Sequence, residues 1–363
     1  MIKWWRGEKN DCSTHVSYRL CKGMHMDGCL PSIYACVTCV AWCIRLLCLR
    51  AECNCLLMRQ LKGTPPKGTT DDDKKEDALQ NLVHSTNHNT PAATIVAQGK
   101  FQSDEWICIK TLANNRGIEV TLCNHKSLDE SCVVKKQTWT PNVQWEIECL
   151  RKCVGKPNIV QYFDHNVDNN GQVELAMAHC PGQELFDYII ESSPVDLEVA
   201  RQIACKLLTA VAYLHDDLGI VHRDIKPENI IYDKGSGSLQ LIDFGYARPF
   251  TKCRMRSQVG TPYYTPPEIV RGRPYTYTVD EWSTGVTLFI VLYGFPPFPG
   301  ETDAEIYANI RKGVPYSPGK GRERSSDAYT CIHSLLHIDP NERATAAQVL
   351  EAVKDTWNAN ALQ

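Results

Sequence analysis

The chain has 363 residues, of which 43% are hydrophobic and 22% charged, an ordinary globular composition with enough apolar material for a core divided over two lobes. Its formal net charge of −3 gives no overall basic field, which removes the electrostatic argument for nucleic acid, and no such partner is expected.

Nine of the 18 cysteines precede residue 60. Residues 29–44, CLPSIYACVTCVAWCI, carry no charge before Arg45 interrupts the run. That is shorter than the roughly 20 residues of a spanning helix, and it begins too late for an ordinary secretory signal. Residues 1–62 therefore read as a cysteine-rich extension, expected to be poorly ordered. Two other readings stand beside this one: a membrane-associated or S-acylated head, and a zinc site at Cys36 and Cys39, whose C-x-x-C has no second pair of matching spacing. Residues 63–104 open with GTPPKGTTDDDKKED, too poor in apolar side chains to order itself, and read as a linker. The remaining cysteines are scattered through apolar patterns and read as reduced, buried thiols of an intracellular, cytoplasmic protein.

From Trp106 the text becomes strand-like: WICIKTL, EVTLCNH and SCVVKKQ are β-rich runs separated by polar turns. NVQWEIECLRKC has helical spacing, with Val143, Ile147 and Leu150 on one face. QVELAMA reads as a further strand, and from Asp196 onward the periodicity is mainly helical. The expected fold is α+β: a small β-rich lobe with one main helix, then a larger, mainly helical lobe.

The chemistry concentrates in VHRDIKPENIIYDKGSGSLQLIDFGYARPF, residues 221–250. Phosphoryl transfer needs an oxygen to take a hydroxyl proton, oxygens for a divalent metal and cations for phosphate. Asp224, Lys226 and Asn229 supply such groups at short spacing, and Asp243 follows across a hairpin whose turn contains Gly235 and Gly237.

HRDIKPEN with DFG resembles the catalytic core of eukaryotic protein kinases, specifically serine/threonine kinases and most of all the calcium/calmodulin-dependent group. The resemblance covers about residues 106–358 and implies a bilobal kinase domain over 105–358, with an N-lobe at 105–178 and a C-lobe at 182–358. It implies ATP and Mg²⁺ as cofactors and protein Ser/Thr sites as substrates. Asp224 would accept the hydroxyl proton, Asn229 and Asp243 would hold Mg²⁺, and Lys226 would reach the transferred phosphate. GTPYYTPPE resembles the end of an activation segment, in which Thr261 would bond the catalytic aspartate and lysine and Glu268 would pair with Arg343. Glu184 and Glu228 match positions that contact arginines of basic substrates; the competing reading is that they cap or solvate helices. Ser257 is a candidate regulatory phosphosite that Arg223 would clamp, or else a plain loop serine. With Trp357 near the last residue, no regulatory helix or EF-hand is expected to follow.

The nucleotide side is less regular. Lys135 aligns with the family's phosphate-binding strand lysine and Glu146 with its helix partner; Lys110 is the rival lysine. Val120 and Ile231 match residues that face adenine, Met177 the gatekeeper, and Ala178, His179 and Cys180 the hinge. Leu150, His222 and Phe244 match residues that stack between the lobes. The phosphate loop departs from the family: Ala113, Asn115 and Ile118 occupy its glycine positions, Asn115 as a residue tolerant of left-handed backbone, and a turn shifted by one residue onto Gly117 is the alternative alignment. Val133 replaces a smaller adenine neighbour. These departures leave a second reading open, a pseudokinase scaffold or allosteric module with weak nucleotide binding.

Overall fold

The computed structural model describes residues 105–115, 117–126, 130–250, 255, 261–313, 315 and 325–357. The cysteine-rich head, the linker and Ser257 lie outside the described residues, and with them the acylation, zinc and phosphosite readings. Among the described residues no helix is long and apolar enough to cross a membrane.

The small lobe is a five-stranded antiparallel sheet of β1 (Trp106–Asn115), β2 (Ile118–His125), β3 (Ser131–Thr138), β4 (Tyr162–Val167) and β5 (Gln172–Ala178), in the order β1-β2-β3-β5-β4. β3 lies at its centre, with Cys132 and Val134 buried on one face and Lys135 and Gln137 buried on the other. One helix, α1 (Pro141–Lys152), follows it. Thr140 caps that helix by accepting the Val143 N–H, Pro141 occupies its first turn, and Arg151 and Lys152 complement its C-terminal dipole. The face that α1 buries holds Val143, Ile147, Cys149 and Leu150, but also Glu146. A buried carboxylate requires a partner.

The larger lobe begins earlier in helix than the periodicity indicated, at α2 (Leu185–Ser192), ahead of α3 (Leu197–Ala212). α3 runs on into a π-helical turn, Tyr213–Asp217. α4 (Thr278–Tyr293) is buried along almost its whole length, as its TVDEWSTGVTLFIVLY composition predicts. α5 (Asp303–Lys312), α6 (Ser326–Leu335) and α7 (Ala346–Thr356) complete the bundle, with α7 against α3 and α6 against α4. Five short strands line the boundary of the two lobes: β6 (Gln183–Glu184), β7 (Ile220–Val221), β8 (Ile230–Tyr232), β9 (Leu239–Leu241) and β10 (Arg248–Pro249). β8 and β9 form the expected hairpin. Gly237 takes positive φ in its turn and Gly235 does not; there the Asp233 carboxylate accepts the N–H groups of Gly235 and Ser236.

Of the two alignments of the β1–β2 turn, the structure takes the shifted one: Asn115 ends β1, and it is Gly117, at φ +78°, that takes the left-handed conformation. A tight two-residue connection demands that region, and glycine alone enters it freely. The scattered cysteines, against expectation, are not all buried: Cys108 is exposed and Cys180 and Cys205 are half-buried, while Cys123, Cys132, Cys149, Cys153 and Cys331 are buried.

Candidate active site

Alternation along β3 sends Lys135 and Gln137 to one face, and both reach Glu146 on α1. Lys135 Nζ donates to Glu146 Oε1 at 2.6 Å and Gln137 Nε2 donates to Glu146 Oε2 at 2.9 Å. The buried carboxylate is thereby satisfied at both oxygens. Lys135 Nζ also lies 3.1 Å from Asp243 Oδ1, so one ammonium joins the sheet, the helix and the Asp-Phe-Gly segment. Burial would lower the Lys135 pKa, but the charges of Asp243 and Glu146 outweigh it and hold the ammonium above its ordinary value. The Lys135 charge in turn brings the Asp243 carboxyl down to about 2. Lys110, the rival lysine, is exposed on β1 and takes no part.

A second cluster forms around Asp224. Its Oδ2 accepts from Lys226 Nζ at 2.8 Å and from Asn229 Nδ2 at 2.7 Å, and the same Asn229 amide reaches the Asp224 carbonyl at 2.8 Å. Both bonds made by the Asn229 side chain use its nitrogen, which leaves its oxygen for another partner. Thr261 Oγ1 lies 3.5 Å from Lys226 Nζ, the outer limit of a hydrogen bond, and makes no bond to Asp224. The expected three-way link is therefore reduced to the lysine side.

The two clusters are held by strained backbone. Arg223 (φ +68°) and Asp243 (φ +59°) are two of three described non-glycine residues with positive φ, and both flank the site, where surrounding structure must enforce such angles. Asp280, at the start of α4, accepts the N–H groups of His222 at 2.7 Å and Arg223 at 2.8 Å and so clamps the first of them. Asp280 Oδ2 also lies 3.0 Å from His215 Nε2, and Glu281 Oε1 lies 3.1 Å from His215 Nδ1. Burial lowers the His215 pKa, but hydrogen bonds and charge from both carboxylates reverse this and carry it up to about 9. Behind the site His222 meets Phe244 edge-on at 4.8 Å, and Phe244 and Leu150 are fully buried.

The proposed nucleotide side is lined as follows. Val120 faces Lys135 in register, and Val133 faces Met177. All four side chains except the buried Lys135 are half-buried, as is Ile231 at the centre of β8. Ala178 donates its N–H to the Gln161 carbonyl at 2.8 Å. His179 is exposed, and burial pushes the Cys180 thiol up to about 11, which keeps it neutral.

On the opposite side, Glu184 opens α2 without a side-chain capping bond, which removes the capping reading for that residue. Glu184 pairs in register with Ile231, and Glu228 sits in the 3₁₀ turn Pro227–Asn229 that leads into β8. Both carboxylates thus flank the catalytic loop. Arg223, the expected phosphate clamp, donates from Nε to the Tyr246 carbonyl at 2.7 Å. Arg343 grips Glu268 through two bonds of 2.8 and 3.0 Å, donates to the Thr278 and His337 carbonyls, and stacks over Trp282.

Sequence reasoning missed Gln137 and the His215–Asp280–Glu281 cluster. Gln137 was recoverable from its two-residue spacing to Lys135 on a strand. His215 carried no local signal, because its partners lie 65 and 66 residues away.

A family model described as "Protein kinase domain" matches residues 116–353. Among curated relatives, a probable myosin light chain kinase of Dictyostelium discoideum is 36% identical over 244 residues, covering 64% of this chain and 50% of that protein. Calcium-dependent protein kinase 3 of Plasmodium yoelii yoelii is 38% identical over 228 residues, 61% of this chain and 41% of its own length. Calcium/calmodulin-dependent protein kinase type 1 of Caenorhabditis briggsae is 36% identical over 272 residues, 72% of this chain and 74% of its own. The chain spans half or less of the first two relatives and about three quarters of the third.

Proposed function

Because this chain belongs to the protein kinase family, whose members use ATP and a divalent metal, we propose that it transfers the γ-phosphoryl group of ATP to serine and threonine hydroxyls of protein substrates, with Mg²⁺ as the metal. The observation that carries this reading is the link from Glu146 through Lys135 to Asp243, at 2.6 and 3.1 Å. A kinase site works by positioning and charge neutralisation, and this link is what positions it.

The residues present fit the metal. Asn229 keeps its amide oxygen free of hydrogen bonds while its nitrogen is committed to Asp224, and the Asp243 side chain is 44% exposed. Carboxylate and amide oxygens suit a hard divalent cation, which when bound would neutralise phosphate charge. Asp224 uses only Oδ2 for Lys226 and Asn229; Oδ1 is then the oxygen that orients the substrate hydroxyl and takes its proton. Lys226 stands beside it to meet the transferred group. Lys135, fixed by two carboxylates, holds the nucleotide phosphates, and Val120, Val133, Met177 and Ile231 enclose the base.

Glu184 and Glu228 support a preference for substrates with arginine or lysine ahead of the phosphorylated residue. Likeness to relatives named as calcium- and calmodulin-dependent protein kinases supports the serine/threonine class. Transfer of labelled phosphate to paired peptides with and without arginines tests the reading. The arginine peptides should be preferred, and Glu184→Gln with Glu228→Gln should abolish the preference without abolishing transfer. Equal use of both peptides would remove the basic-substrate assignment, and transfer to tyrosine alone would remove the serine/threonine one.

A further inference from the structure

The face of the small-lobe sheet turned away from Lys135 carries a feature that phosphoryl transfer does not use. Cys108 on β1 lies directly opposite Cys123 on β2, and Cys123 lies directly opposite Cys132 on β3. Three cysteines therefore form one row across three neighbouring strands. Residues directly opposed in antiparallel strands have Cα atoms about 4.5–5.5 Å apart and side chains on one face, inside the roughly 4.4–6.8 Å range of disulfides; Cys108 keeps its pairing with Cys123 at the edge of a bulge, where Ile109 is the extra residue on β1. All three are free thiols. Cys132 and Lys135 differ by an odd number of positions on β3, which places the row on the outer face. There Cys123, Cys132 and Val134 pack with Trp106 and Phe163.

Access to the row is graded. Cys108 is exposed, Cys123 is 6% exposed and Cys132 is fully buried. A groove of 190 Å³ opens beside the row, lined in part by Trp106, Cys108, Thr121, Cys123 and Lys136. We infer that Cys108 and Cys123 form a reversible disulfide site on the outer face of the small lobe, in which Cys108 meets a hydroperoxide and Cys123 resolves the product.

The chemistry balances in two steps. The Cys108 thiolate attacks a peroxide oxygen, an S–O bond forms as the O–O bond breaks, and one water or alcohol leaves with the thiol proton. The Cys123 sulfur then attacks the resulting sulfenic acid, the S–S bond forms, the S–O bond breaks, and water leaves with the second proton. Two thiols are oxidised and one peroxide is reduced. Burial raises the Cys123 pKa against the opposing influence of Thr121 and Lys136, which suits it to the second, intramolecular step and not to first attack. Burial pushes the Cys132 thiol up to about 12, so it stays a spectator. The bond would staple β1, an edge strand, to β2, the strand that begins at the phosphate-loop turn.

The full-length protein makes the test direct. Cleavage after Lys100, Lys110, Arg116, Lys126 and Lys135 puts each of the three cysteines in its own peptide. Reduced protein is treated with hydrogen peroxide, its remaining thiols are blocked with N-ethylmaleimide, and the tryptic peptides are read by mass spectrometry. The expected result is a disulfide joining peptides 101–110 and 117–126, reversed by dithiothreitol, with Cys132 recovered as the maleimide adduct. In Cys108→Ser, an exposed position where folding is not at stake, Cys123 should remain fully blockable. Recovery of Cys108 as sulfinic acid with Cys123 still alkylated would overturn the proposal. So would a bond from either residue to any other cysteine, including a Cys123–Cys132 bond.

Discussion

Replacing His215 should change the pH dependence of stability in a direction the structure dictates. The imidazole is 4% exposed and sits between Asp280 and Glu281 at 3.0 and 3.1 Å, with the Tyr277 ring 5.1 Å away. Burial opposes protonation, the two carboxylates win, and the pKa rises from 6.5 to about 9. At roughly 1.4 kcal/mol per pKa unit, the protonated form contributes on the order of 3 kcal/mol. Since the folded pKa is raised, this contribution is fully present below pH 6.5 and is lost as pH climbs through about 9. Asp280 acts at the other end: burial would raise its pKa, but His215 lowers it, so its contribution is lost only in acid. Unfolding free energies from urea titrations between pH 6 and pH 9.5 should therefore fall more steeply for the wild type than for His215→Asn. His215→Asn paired with Glu281→Gln, which removes one stranded charge, should show the same shallow slope at higher absolute stability. Parallel slopes for all three proteins would show that the His215 charge does not stabilise the fold.

Breaking the Arg343–Glu268 pair by Glu268→Gln should destabilise the large lobe by about 3–5 kcal/mol, because a buried guanidinium is left without its counter-charge; scanning calorimetry would show the loss as a lower Tm. Lys135→Met should let the Asp243 carboxyl titrate near its ordinary value in place of about 2, visible by carbon NMR, and should reduce phosphoryl transfer on the order of 10²-fold or more. Gly117→Ala meets no atom within 4 Å but must hold φ +78°, at a cost of about 1–2 kcal/mol in the β1–β2 hairpin. Its effect should appear in KM for ATP with kcat little changed, and Gly117→Asn should be milder on the same steady-state assay.

The lobes were legible because their elements announce themselves locally. β3 belongs to a β-rich run, α1 starts at Thr-Pro, and α4 is rich in apolar residues and buried along almost its whole length. Asp224, Lys226 and Asn229 were legible because they lie within one loop, and their mutual bonds follow from that spacing. Lys135 was chosen over Lys110 by its distance along the chain from the strand after the helix, and burial of Lys135 with exposure of Lys110 agrees with that choice. What escaped depends on contacts distant in sequence or on backbone angles. His215 and Glu281 become neighbours only when the π-helical turn packs on α4. The left-handed residue of the phosphate-loop hairpin is decided by where the two-residue turn falls, which local sequence leaves open between Asn115 and a turn shifted by one onto Gly117, and which strand pairing settles in favour of Gly117. The cysteine row has the same origin, since three thiols spaced 15 and 9 residues apart meet only through strand pairing.

The assembled site is proposed to perform phosphoryl transfer and to be more than a nucleotide-binding scaffold. The most direct measurement is transfer of radiolabelled phosphate from Mg·ATP to an arginine-containing serine peptide by the full chain and by Asp224→Asn, with nucleotide binding followed on both proteins by calorimetry. Transfer by the wild type and binding by both proteins are expected, with transfer lost in Asp224→Asn. Binding without transfer by the wild type at saturating ATP would contradict that proposal.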